Sequence, residues 1–417
     1  MELVRISTAG SVDDGKSTLI GRLLYDNDAL TKEQEDLVRK KTKEKGWDDL
    51  DLSVITDGLV AEREQGITID VANIYFSTET RKFIIADSPG HVEYTRNMVT
   101  GASMAQTSII LVDARKGLLE QSFRHFYISQ LLRLENVIFC VNKMDLVEYS
   151  EDTFLEISIQ IQNMVEALDA EINYRIVPVS SLKGDNVVKK SANMPWYSRE
   201  TLNQLLHAEK TKKTEKLPFR FDVQQVNHSQ ENGFVDYRGL AGRVVSGEVS
   251  VGDRIVIRQG HGSSNLESIV TEIRRFTESI DTAQAGDSVS ISIADEIDIS
   301  RGGVLSSMEN LVEAQSSIST TVVWMDESAG QLGAKYLLKV GSREFPIKVE
   351  AIHSKVDPTK ANQSFDVNTI EINDISKVDL RLSQSGYFDS YLDNKNNGAF
   401  ILIDLQSNNT VAVGFVD

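Results

Sequence analysis

A single cysteine, Cys140, six prolines and three tryptophans are all that 417 residues contain of these types. One thiol cannot form an internal disulfide, so packed cores must hold the fold, and a reducing compartment suits it. No apolar run approaches the roughly 18 residues that a membrane-crossing helix needs. The N-terminal MELVRISTAG lacks the charged-then-apolar pattern of a secretory signal. A soluble, cytoplasmic protein is expected. Positive charge is also scarce, with 44 Lys and Arg against 62 Asp and Glu and a net charge of -18. A polyanion would be repelled, which argues against a general nucleic-acid or anionic-membrane surface as partner. A small phosphate ligand stays possible, because backbone N–H groups and one lysine suffice to hold it. Histidine is sparse and lacks metal-ligand spacing: His125 reads as a packed residue of an apolar helix, and His207, His228, His261 and His353 are scattered. Cys140 reads as core filling.

What is present divides the chain. In the first half, apolar runs at 3–8, 83–86, 109–112, 137–141 and 176–179 alternate with helical patterns at 17–25, 92–103 and 151–168. That order predicts a mostly parallel α/β sheet with helices on both faces and ligands outside the carboxyl ends of the strands. Residues 31–46 read as a solvated helix stopped at Gly46. HAEKTKKTEKLP (207–218) is polar, lysine-rich and closed by proline, as a connector would be. Beyond it, DRIVIR and SVSISIA alternate with period two and turns recur at short intervals, predicting all-β barrels or sandwiches. The expected layout is a nucleotide-binding domain over 1–206, a linker over 207–216 and antiparallel β-barrel domains over 217–309 and 310–417.

Chemistry is concentrated at strand ends. GSVDDGKST (10–18) follows the first strand and opens a helix, with the phosphate-loop spacing Gly10-x4-Gly15-Lys16-Ser17. Its backbone N–H groups can curl around phosphate oxygens, Lys16 can reach the β and γ phosphates, and Ser17 can ligate Mg²⁺. NKMD (142–145) ends the strand VIFCV on the same rim. Asp145 can accept from the N1–H and 2-amino group of guanine, which adenine does not present. Asn142 can tie loops together, the Lys143 stem can lie along the base, and Ser180 in SSLKG (180–184) can join them. In ADSPGHVEYTR (86–96), Asp87 can hold Mg²⁺ through a water and Gly90 can approach a γ-phosphate closely. His91 then stands where an attacking water must be held. Thr68 in REQGITID (63–70) can close on Mg²⁺ when a γ-phosphate is present. These parts describe a GTP hydrolase whose conformation reports its nucleotide.

The set GSVDDGKS, GITID, DSPGH, NKMD and SSL resembles the translation-factor class of GTPases, which includes elongation factor Tu, a GTPase domain followed by two β-barrels. More narrowly, GSVDDGKSTLIGRLLYD (10–26), DGLVAEREQGITIDVANIYFSTETRKFIIADSPGH (57–91) and YTRNMVTGAS (94–103) are very similar to the large, GTP-binding subunits of bacterial sulfate adenylyltransferases. The likeness is looser through the barrels and returns at YFDSYLDNKNNGAFILID (387–404).

The resemblance implies phosphate contacts by Asp13, Gly15, Lys16, Ser17 and Thr18, in a loop completed by Gly10, Ser11, Val12 and Asp14. It implies Mg²⁺ ligation by Ser17 and Thr68 and water positioning by His91. Guanine selection falls to Asn142, Lys143, Asp145 and Ser180, with Ser181 and Leu182 beside them. A monovalent cation near Asp13 is a further expectation. By the same resemblance, a smaller catalytic subunit binds ATP and sulfate and forms adenosine 5′-phosphosulfate and pyrophosphate in sulfate assimilation. GTP hydrolysis on the large subunit drives that uphill nucleotidyl transfer. Two positions depart from related patterns: Asp14 stands where translation factors usually carry histidine, and Leu405 where the narrower family often has arginine. The alternative function is an elongation-factor-like carrier of aminoacyl-tRNA.

Overall fold

The computed structural model describes residues 2–46, 49–56, 72–88, 95–168, 170, 172–209, 217–229, 237–259, 265–357 and 368–417. Two compact units divide near residue 211.

In the first unit, TSIILVD forms β4 (Thr107–Asp113) and is buried at every position. A strand covered on both faces by helices can carry such a run without alternation. Around it lie β1 (Glu2–Ala9), β2 (Ala72–Ser77), β3 (Arg81–Asp87), β5 (Asn136–Asn142) and β6 (Asn173–Pro178). The sheet order is β2-β3-β1-β4-β5-β6. All neighbours run parallel except the edge strand β2, which returns antiparallel to β3. The chain order reverses direction at β1, so the crevice between the carboxyl ends of β1, β3 and β4 is a topological switch point.

The helices are α1 (Lys16–Asp26), α2 (Lys32–Lys45), α3 (Thr95–Ala102), α4 (Glu120–Leu131), α5 (Glu151–Ala167) and α6 (Leu202–Ala208). Helix α1 buries Leu19, Ile20, Leu23 and Leu24 at helical spacing against Val4, Ile6, Phe83 and Ile85. At roughly 1.5–3 kcal/mol for each fully buried large aliphatic side chain, this stripe fixes the helix beneath the loop that precedes it. Helix α2 buries only Val38 and Thr42, starts at a Thr31–Gln34 capping box and stops at Gly46. His207 belongs to the last turn of α6 rather than to a connector. Its Nδ1 lies 3.2 Å from the Thr80 hydroxyl, and its ring meets Phe83 edge-on at 5.3 Å. Composition over 207–218 could not reveal that contact, because it is made across the sheet edge.

The second unit is all β. Its first part comprises β7 (Arg220–Ser229), β8 (Tyr237–Ser246), β9 (Glu248–Ser250), β10 (Arg254–Arg258), β11 (Leu266–Arg275), β12 (Glu278–Ile280), β13 (Thr282–Gln284), β14 (Ser288–Ile293) and β15 (Val304–Ser307), of which β9 and β13 pair as a separate two-stranded sheet. Six of them run β10-β15-β7-β8-β14-β11, and β11 pairs back onto β10, closing a barrel around Phe221, Val244, Ile257 and Ile291. The rest are β16 (Gln315–Trp324), β17 (Gly330–Gln331), β18 (Lys335–Val340), β19 (Arg343–Val356), β20 (Thr369–Ile370), β21 (Ile375–Gly386), β22 (Ala399–Asp404) and β23 (Thr410–Val416). Six of these form a second closed barrel in the order β16-β21-β19-β18-β22-β23, and β17 pairs with β20 apart from it. Closure leaves no long free edge in either barrel.

The barrels are joined by buried charge. Arg220 forks onto Asp389 at 3.1 and 2.9 Å, and the amides of Asn394 and Asn397 donate to the same carboxylate at 3.1 and 2.7 Å. Arg343 lies 3.5 Å from Asp222. The stretch YFDSYLDNKNN is therefore a structural clamp: Asp389, Asn394 and Asn397 hold one barrel to the other.

Candidate functional site

The phosphate-loop spacing folds as a tight turn because Gly10, Asp13 and Gly15 take positive φ. Asp13 has φ 66° and Gly15, the N-cap of α1, has φ 94° and ψ 29°. A side chain at Gly15 would be strained by that backbone. Its Cβ would also stand 2.6 Å from Nδ2 of Asn142. Lys16 is buried, and its ammonium donates to the Gly10 carbonyl at 2.8 Å and the Ser11 carbonyl at 3.0 Å. Burial pushes its pKa down, while Asp87, Asp14 and Asp13 push back. The buried Asp14 carboxylate accepts the Ser11 N–H at 2.7 Å, closing the loop on itself. Desolvation raises the Asp14 pKa against that hydrogen bond and the nearby Lys16.

Strand register brings the next piece beside the loop. Thr8 at the end of β1 pairs with Asp87 at the end of β3, and its hydroxyl donates to Asp87 Oδ1 at 2.9 Å. Asp87 is 1% exposed, an oriented carboxylate on the rim where the phosphate loop begins. Ser17 is the second residue of α1. Hydroxyl and carboxylate oxygens are the hard donors that Mg²⁺ prefers, and they fit an ion shared with nucleotide phosphates and water. Among the described residues, no group of three or more His, Cys, Asp or Glu could hold a metal by itself. Thr68, Gly90 and His91 lie outside the described residues.

The third piece is anchored by one amide. Asn142, 1% exposed at the end of β5, donates Nδ2 to the Asp14 carbonyl at 2.7 Å. Its Oδ1 accepts from both the backbone N–H and the hydroxyl of Ser181, each at 2.9 Å. One side chain thus joins the phosphate loop to the SSLKG loop. Lys143, with φ 64°, donates Nζ to the Asp13 carbonyl and pairs with Asp113 at 3.0 Å. Ser180 donates to Asp145 Oδ1 at 2.7 Å, which sets the carboxylate that would read a base.

Of the expected residues, Gly10 to Gly15, Asp87, Asn142, Lys143, Asp145 and Ser180 to Leu182 lie at the carboxyl ends of β1, β3, β5 and β6 or just beyond them, and Lys16 to Thr18 form the first turn of α1. Sequence reasoning missed two supports. Asp113 ends β4 and accepts Arg115 at 3.0 and 2.6 Å as well as Lys143. Burial would raise its pKa, but the hydrogen bonds from Arg115 and then Lys143 outweigh that and hold it well below the usual carboxylate range. An aspartate closing an apolar run on the same rim was the signal available. Arg22 of α1 donates to the carbonyls of Ser181 and Leu182, 159 and 160 residues away, which no local pattern announces. His125 is buried, and burial, then Lys16 and Arg124, push its pKa down to about 3, so it is a neutral core residue. Cys140 is buried in β5, where burial pushes its thiol up. Among the described residues, no helix is long and apolar enough to cross a membrane.

Comparison with known proteins adds to this geometry. Residues 1–233 match the elongation factor Tu GTP binding domain, and residues 317–417 match the GTP-eEF1A C-terminal domain-like family. Sulfate adenylyltransferase subunit 1 of Colwellia psychrerythraea is 45% identical over 419 residues, spanning 100% of this chain and 88% of that protein. The protein of the same name from Saccharophagus degradans is 45% identical over 418 residues, spanning 100% and 87%. The S. cerevisiae Ski7 GTPase-like domain, solved with GDP and inorganic phosphate and also with GTP, has the same fold. Its TM-score is 0.51 at 19% identity, over 100% of this chain and 97% of that one.

Proposed function

The chain belongs to the sulfate adenylyltransferase subunit 1 family, within the elongation factor Tu class of GTPases, and from that premise we propose how it works. It is the GTP-hydrolysing subunit of an ATP sulfurylase. A smaller partner subunit carries ATP and sulfate and transfers the adenylyl group. The product joins a phosphate to a sulfate in one anhydride, which makes its formation strongly unfavourable alone. Coupling to GTP hydrolysis here draws it forward.

The chain's own residues divide that work. The N–H groups of residues 13–18 cradle the phosphates at the start of α1, and Lys16 turns from the loop carbonyls to the β and γ phosphates. Ser17, Thr68 and, through water, Asp87 are the residues that would hold Mg²⁺, which when bound neutralises charge developing on the phosphates. A monovalent cation beside Asp13 would assist in the same way. Asp145, oriented by Ser180, accepts from the guanine edge, and Lys143 covers the base. Gly90 lets its N–H approach the γ-phosphate. His91 holds the attacking water in line, which lowers the barrier by positioning. Thr68 and the segment around His91 report the γ-phosphate to the partner.

The observation that carries this reading is the Asn142 bridge, since it makes the base-reading and phosphate-reading loops one rigid rim. The test is co-purification from the native source, followed by an assay for adenosine 5′-phosphosulfate. Formation should require the smaller subunit, ATP and sulfate, and should rise with GTP but not with a non-hydrolysable analogue. A complex whose product yield ignores GTP would overturn the coupling.

A further inference from the structure

The clamp between the two barrels leaves a cavity of about 340 Å³ whose wall includes Arg258, Arg301, Arg343, Gln384, Ser385 and Tyr387. Three buried guanidinium groups stand at this junction, Arg220, Arg258 and Arg343, none more than 5% exposed. Two buried carboxylates answer them: Asp389 takes Arg220, and Asp222 takes Arg343. The direct hydrogen bonds of Arg258 go to neutral partners, and the Asp389 carboxylate, already forked by Arg220, acts on it only through space. Its Nε donates to Asn265 Oδ1 at 3.0 Å and its Nη1 to the Val312 carbonyl, and its plane lies 4.4 Å over the Tyr387 ring. Among the described residues no carboxylate forms a direct ion pair with it. Glu344 on the cavity wall is engaged by Lys339 at 3.0 Å.

A buried cation that must share its counter-charge with another is costly, and neutral acceptors compensate only in part. Beside Arg258 and the Asp222-paired Arg343, the cavity carries a third guanidinium at its exposed side, that of Arg301. Arg301 spends one nitrogen on the Gln224 carbonyl at 3.3 Å. A cationic ligand would be repelled here, and an apolar one would bring Arg258 no counter-charge. Arg258 from β10, Arg301 from the turn before β15, and Gln384 and Ser385 from the end of β21 approach from three separate elements. That spread suits a tetrahedral anion better than a planar carboxylate, and the guanidinium fork matches two of its oxygens at once.

We propose that the inter-barrel cavity is a binding site for a tetrahedral oxyanion of the sulfate or phosphate type, with Arg258 and Arg301 as its charged donors. The site is distinct from the nucleotide rim and does not depend on the sulfurylase reading. It also gives the C-terminal signature a second purpose, since Tyr387 both stacks on Arg258 and lines the cavity.

The test is equilibrium dialysis of the full chain with radiolabelled sulfate, at constant ionic strength in chloride. A non-hydrolysable GTP analogue and magnesium fill the phosphate loop through its γ position, so anion uptake there is silent. One saturable equivalent below about 10 mM is expected, an affinity that two charge-assisted contacts support. Arg301→Ala should weaken uptake several-fold, and Arg258→Lys at least tenfold, with circular dichroism spectra unchanged. Should Arg258→Lys fail to fold, Arg301→Glu decides the matter by abolishing uptake. Competition identifies the source: displacement by inorganic phosphate at similar concentration marks a free anion, whereas tighter displacement by adenosine monophosphate marks a nucleotide's phosphate. Uptake that never saturates, or that is unchanged in the Arg301 variants, overturns the proposal.

Discussion

Replacing Asn142 by alanine removes the bridge on which the nucleotide rim depends. Three buried hydrogen bonds disappear: one to the Asp14 carbonyl at 2.7 Å and two from Ser181 at 2.9 Å. Each contributes about 1 kcal/mol net, and each buried partner left unpaired costs about 1–3 kcal/mol, so roughly 3 kcal/mol is a conservative total. Part of that loss falls on global stability. The rest falls on nucleotide binding, because the SSLKG and phosphate loops must be re-ordered by the ligand. If most of it appears in binding, GDP affinity drops about 100-fold, at 1.4 kcal/mol per factor of ten. Titration calorimetry with GDP and magnesium measures this. Hydrogen exchange of peptides covering residues 10–16 and 180–184 locates it. The barrels should be unaffected, so peptides from residues 315–356 serve as an internal reference. An affinity within threefold of wild type, with exchange unchanged in both loops, would refute the idea that this amide couples them.

Asp145→Asn should shift preference from guanosine to xanthosine nucleotides, since an amide donates to a 2-oxo group; competition binding checks it, and unchanged guanosine preference contradicts the base-reading role. His91→Ala should leave GTP affinity nearly intact and slow single-turnover hydrolysis by roughly 10² or more if it positions water; weakened binding with normal turnover would sink that assignment. Asp113→Asn should be less stable than wild type at neutral pH. Because the folded pKa of Asp113 is depressed, its stabilisation is present above about pH 4 and fades as pH falls through the lower folded value. Urea melts at pH 7 and below pH 4 should therefore show the gap closing, and a constant gap would argue against an ionised Asp113.

Local spacing made the nucleotide rim legible before any coordinates. A phosphate loop needs a strand, a turn that only glycine tolerates at Gly15 and a helix start, and all three are adjacent in the chain. NKMD and SSLKG were readable for the same reason, each ending a buried apolar run. The supports of the rim were harder to read: Asp113 closes a buried run but also holds Lys143 from 30 positions away, and Arg22 reaches carbonyls 159 and 160 positions later. His207 shows the converse failure: a lysine-rich neighbourhood masked a residue that packs on Phe83. The C-terminal signature was visible as a resemblance, but its residues gave no hint that Asp389 would meet Arg220, 169 positions earlier.

The sequence by itself determined the alternation of strands and helices, the change to all-β structure beyond the connector, and the chemical groups that end the strands. Each of these is a statement about near neighbours, where backbone geometry and side-chain period act directly. Tertiary structure alone decided that Asn142 holds two loops at once, that both barrels close, and that Arg258 is buried beside Tyr387 without a directly paired carboxylate. Those outcomes depend on strand order and on which distant side chains share a dry interior, where an unpaired charge is expensive and position rather than residue type sets its role.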